Sequence, residues 1–67
     1  MNKKKFQFIP DKGKVFVTED WLKLYVLIEE REGNPLAEEF ERWVKEDAKE
    51  GDYFDGKTFE VICVKGE

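Results

Sequence analysis

The chain has 67 residues, a formal net charge of −4 at pH 7, 42% charged residues and 15% aromatic residues. A chain this short buries only about 60% of the surface its unfolded form exposes, so one modest core and no second domain are expected. No run of 18 or more apolar residues is present, so a membrane-spanning helix is not expected. No secretory leader is expected either, because a basic start followed by an apolar stretch and a small-residue cleavage site is missing.

Residues 4–9 alternate as a strand, with Phe6 and Phe8 on one side and Lys5, Gln7 and Ile9 on the other. Pro10, Asp11, Lys12 and Gly13 read as a turn, and residues 14–17 as a second strand that completes an N-terminal β-hairpin. Thr18 is the expected cap of a first helix over residues 19–32, with Glu19 and Asp20 where the helix dipole favours negative charge. Residues 21–28 are apolar nearly all round, a pattern that a buried strand also satisfies, but start and stop signals at both ends favour the helix.

Gly33 is suited to end that helix, and Asn34-Pro35 to cap and open the next. The second helix is expected over residues 35–50, with Leu36, Phe40, Trp43 and Val44 on one face. Its other face offers the i,i+4 pairs Glu38 with Arg42 and Glu41 with Lys45. After Gly51, Asp55-Gly56 signals a turn and residues 58–64 alternate as a last strand, with Tyr53 and Phe54 able to pair across the turn. The expected fold is therefore α+β: one domain over residues 1–67, a small antiparallel sheet of hairpin plus C-terminal strand packed on two helices, order ββααβ.

Residues 51–58, GDYFDGKT, match the phosphate-loop pattern G-x-x-x-x-G-K-[ST]. A working phosphate loop leaves a strand and enters a helix, whereas here a helix comes before and a strand after, with Asp52 and Asp55 adding repulsion. The segment is expected to be a turn, and no nucleotide or other cofactor is expected. Catalysis finds little to work with, since serine and histidine are absent and nothing in the sequence activates the single cysteine, Cys63. Cys63 is expected as a small buried apolar residue, with no metal role. Asp47, Asp52 and Asp55 do not have the spacing of a calcium loop and are expected as solvated charges.

The polar residues are almost all charged, the uncharged ones being Asn2, Asn34, Gln7, Thr18 and Thr58. That Lys- and Glu-rich balance is the compositional trend of heat-adapted proteins. The lone cysteine and the absence of a leader favour a reducing, cytoplasmic setting.

Charge is also uneven along the chain. Residues 1–18 hold Lys3, Lys4, Lys5, Lys12 and Lys14 against Asp11, while the rest is strongly acidic. Those lysines, interleaved with Phe6, Phe8 and Phe16, define a candidate nucleic-acid contact, set against the simpler reading of core rings and a lysine-guarded sheet edge. A helix-turn-helix reading of the two helices fails on charge, because the second carries mostly acids that phosphates repel.

The apolar excess of the first helix points instead to a non-enzymatic module that binds a protein partner or a second copy through that helix or a sheet edge. Leu24 and Leu27 are the expected interface residues. Nucleic-acid binding through the basic hairpin is the alternative.

Overall fold

The structure, a computed structural model, describes residues 4–64, apart from the side chain of Asp47. Its elements run β1 (Lys5–Pro10), β2 (Phe16–Thr18), α1 (Trp21–Glu32), α2 (Asn34–Arg42) continued by a π turn (Trp43–Asp47), β3 (Tyr53–Asp55) and β4 (Phe59–Val64). The strands form one antiparallel sheet in the order β2-β1-β4-β3. The α+β architecture is the expected one, with Tyr53 and Phe54 supplying the extra strand: the order is ββααββ.

Period-2 alternation sorts the sheet into two faces. Phe6 sits opposite Cys63 and Phe8 opposite Val61, while Phe16 and Phe54 flank them on the outer strands. These residues meet Leu24, Ile28, Ala37, Phe40, Val44 and Ala48 from the helices in one core. The aromatic rings make that core: Phe6 lies 6.4 Å from Phe40 and 6.0 Å from Trp43, and Phe40 lies 5.5 Å from Phe54 in an edge-on arrangement. Burying each such ring contributes about 1.5–3 kcal/mol, which is how so short a chain holds together without a disulfide.

Helix boundaries differ from expectation where the sheet has a prior claim on the chain. Thr18 is paired with Phe6 in the sheet, so it does not cap α1 itself. Its Oγ1 accepts the N–H of Asp20 at 3.0 Å, and Asp20 becomes the cap, its Oδ1 accepting from the N–H groups of Leu22 and Lys23. Gly33, at φ +100°, ends α1 by donating to the Glu29 carbonyl and begins α2 by accepting from Ala37. One residue makes the corner, so Asn34 is not the cap of α2 but its first residue, and its side chain donates back to Tyr25 and Glu29.

The second helix also stops short of Glu50. The Ala48 N–H reaches the Trp43 carbonyl at 2.7 Å, a widened turn, and Ala48 leaves it in extended conformation with its methyl group buried. The chain then turns through Gly51, at φ +94°, and joins β4 through Gly51 N–H to Cys63 O and Cys63 N–H to Asp52 O, each 2.8 Å. Of the two expected surface pairs, Glu41 and Lys45 form an ion pair at 2.9 Å.

Candidate functional site

The phosphate-loop look-alike is a hairpin turn between β3 and β4, and each of its motif residues has a structural task. Gly51 supplies the positive φ of the turn. Gly56 donates its N–H to Phe59 O, and a Cβ at Gly56 would run into the Phe59 ring. The N–H groups of Lys57 and Thr58 and the Thr58 hydroxyl all donate to the Glu32 carboxylate, at 2.9, 2.7 and 2.7 Å. The donors a phosphate would need are therefore engaged by a carboxylate of the same chain.

Arg31, the neighbour of Glu32, completes this staple. It donates to the Thr58 hydroxyl and carbonyl and to Asp11 Oδ1, each at 3.2 Å, tying the end of α1 to both turns of the sheet. Sequence reading missed the staple because its partners lie 20 to 27 residues away and carry no local signal. Desolvation pushes the Glu32 carboxyl up, but the hydrogen bonds from Lys57 and Thr58 and the Lys57 charge outweigh it and hold the pKa below the ordinary value. Beside the staple lies an open depression of about 700 Å³ lined by Arg31, Glu32, Leu36, Glu39 and Lys57. Two of its charged groups, Arg31 and Glu32, are already committed to the staple.

The other candidate chemistry is similarly occupied. Cys63 is buried against the helices, and burial pushes its thiol up, opposed by Lys4 and reinforced by Asp52 and Glu50, which leaves a poor nucleophile. Asp52 accepts the Lys49 N–H within its turn, and the Asp47 side chain lies outside the described residues. Asp55 faces Glu60 across β3 and β4. Among the described residues no three His, Cys, Asp or Glu side chains cluster as metal ligands, and no helix is long and apolar enough to cross a membrane.

The lysines of the hairpin do not gather. Lys4 donates to the Val44 carbonyl at 3.3 Å, at the end of the second helix, and Lys3 lies outside the described residues. Lys5 begins β1, whereas Lys12 and Lys14 follow its other end, about 17 Å away at strand rise. Phe6 and Phe8 are buried in the core and Phe16 is half-buried beside Phe8, so these rings are not a base-stacking platform.

The expected interface on α1 needs correction. Leu24 is fully buried and Leu27 packs half-buried against the core, because the two helices and the inner sheet face close over them. The apolar residues α1 shows to solvent are Leu22 and Val26, 58% and 50% exposed. They stand beside Lys23, Glu29 and Glu30, which break up the patch.

A second apolar surface lies on the outer face of the sheet, opposite the helices. Strand register puts Val17, Gln7, Ile62 and Tyr53 in one row across all four strands. Ile9 and Val64 extend it on either side, among Lys5, Glu60 and Asp55. Val17 and Tyr53 are 54% and 61% exposed, and no helix packs on this face among the described residues. The signal was present in the last strand, where Ile62 and Val64 are apolar on the face away from Phe59, Val61 and Cys63. A strand covered on one side only would ordinarily be polar on the other.

Compared with known proteins, the chain matches no protein-family model, no curated protein and no solved structure.

Proposed function

We propose that this chain is a non-enzymatic protein-interaction module that meets its partner through the open face of its sheet. The observation that carries this reading is the row of Val17, Gln7, Ile62 and Tyr53 across the sheet opposite the core, in which Val17 and Tyr53 are more than half exposed and Ile62 is half-buried. Apolar residues gathered on one open face mark interaction sites, and with Ile9 and Val64 this face gathers five, against the single i,i+4 pair of Leu22 and Val26 on α1. Tyr53 adds a large ring with a polar tip, the type of side chain enriched where proteins meet. The reading assigns the module no cofactor and a reducing, cytoplasmic workplace suited to a lone thiol.

Photo-crosslinking in the cells that express the protein tests it, with a photoreactive residue placed at Tyr53 or, as control, at the exposed Glu38 of α2. Discrete protein adducts from position 53 and none from position 38 are expected. Adducts to nucleic acid would mean that this face takes a nucleic acid in place of a protein, and silence at position 53 would remove the interaction reading altogether.

A further inference from the structure

The outer sheet face carries a charge pattern as well as an apolar row, and the two together select an occupant. Strand register arranges this face in three rows: Lys5 beside Val64, then Val17, Gln7, Ile62 and Tyr53, then Ile9, Glu60 and Asp55. The apolar row lies in the middle, with a cation at one end of the strands and two acids at the other. Among the described residues neither Lys5 nor Glu60 belongs to an ion pair. Asp55 and Glu60 sit directly opposite each other across β3 and β4, a like-charge arrangement that destabilises a sheet unless a cation comes to it.

We infer that the open face binds a second copy of this chain, sheet to sheet, about a two-fold axis running along the middle row, so that Lys5 of each copy meets Glu60 of the other. The inference rests on the interaction reading above and names its partner. Rotation about that axis reverses the strands and lays the first row of one copy over the third row of the other. Lys5 then faces Ile9 of the second copy, with Glu60 one strand away, about 4.8 Å to the side, and sheets stack about 10 Å apart, within reach of the two long side chains. Val17, Ile62 and Tyr53 meet their own counterparts, as an isologous interface requires. A two-fold axis along the strands would instead set Glu60 over Ile9 and keep both acids away from Lys5, so charge favours the first arrangement.

Two strands of six residues and two of three, about 4.8 Å apart at about 3.3 Å per residue, give a flat footprint of roughly 300 Å² per copy. Standard interfaces bury about 800 Å² per partner, so this dimer belongs to the weak class and exchanges with monomer.

Sedimentation equilibrium over a wide concentration series tests the inference on the full chain, using wild type, Lys5→Glu, Glu60→Lys and an equimolar mixture of the two variants. Circular dichroism confirms that each is folded. The wild-type mass should climb toward twice the monomer value as concentration rises. Each variant alone sets like charges against each other at both contacts and should need at least about 10-fold higher concentration to associate. The mixture restores a cation opposite an acid at both contacts and should associate like wild type. A wild type that stays monomeric, variants that associate unchanged, or a mixture that stays apart would each overturn the inference. The interaction reading is decided separately by the crosslink at position 53: an adduct to a different protein would leave that reading standing while the second copy falls.

Discussion

Thr58 gives two hydrogen bonds, each 2.7 Å long, to the same oxygen of Glu32, one from its backbone N–H and one from its hydroxyl. With the Lys57 N–H on the other oxygen, a single side chain at the end of α1 holds the β3–β4 turn. Glu32→Ala should therefore destabilise the fold by about 1–3 kcal/mol, because it strands donors that the carboxylate had satisfied. The effect should also depend on pH. The folded pKa of Glu32 is lowered, so its contribution is present above the unfolded value and is lost as pH falls through the folded one. Urea unfolding of wild type and Glu32→Ala should thus show a wide gap at pH 7 that narrows in strong acid, and a gap independent of pH would refute the carboxylate's role.

Gly56 tests the packing account of the loop motif. Since a Cβ there would enter the Phe59 ring, Gly56→Ala should cost about 1–3 kcal/mol by overpacking. Gly51→Ala, where a Cβ would meet nothing, should be penalised only for its positive φ. Combining Gly56→Ala with Phe59→Leu should give less than the sum of the two losses, because the smaller side chain removes the clash. Thermal unfolding of the single and double variants provides the comparison.

The opposed carboxylates on the open face give a prediction of opposite sign to that for Glu32. Desolvation, the hydrogen bond with Asp55 and the Asp55 charge all raise the folded pKa of Glu60. A raised carboxylate binds its proton more tightly in the folded state, so its favourable contribution exists at low pH and disappears as pH rises through the folded value. Glu60→Gln should accordingly melt higher than wild type at pH 7 and show no such advantage in acid. The melts are run on dilute protein so that any association plays no part. A variant less stable than wild type at neutral pH would contradict the repulsion.

The two leucines of α1 separate core from surface. Leu24→Ala opens a cavity beneath both helices and should cost about 2–5 kcal/mol. Leu22→Ala, two residues away but 58% exposed, should stay within about 0.5 kcal/mol of wild type. Equilibrium denaturation in urea measures both, and comparable losses would mean that α1 is rotated from the orientation described.

Much of this protein is decided locally and is legible in the sequence. Alternation in β1 and β4, the turn at Asp55 and Gly56, the stop at Gly33 and the apolar stripe from Leu36 to Val44 are short-range patterns, and each produced the element expected of it. The strand-side context of the GDYFDGKT segment was equally readable, because it depends only on what precedes and follows it along the chain.

What lay beyond the sequence was the outcome of competition between distant groups. Thr18 was free to cap α1 until pairing with Phe6 claimed it for the sheet, and the second helix was free to run to Glu50 until burial of Ala48 ended it. Arg31 and Glu32 looked like two more surface charges, and only the approach of turns more than 20 residues away made them a staple. Leu24 and Leu22 are the same residue type on the same helix, and sequence alone made Leu24 the exposed one. Which side of an almost uniformly apolar helix faces the core is set by the neighbours that close over it, and periodicity has nothing to say where every side is apolar.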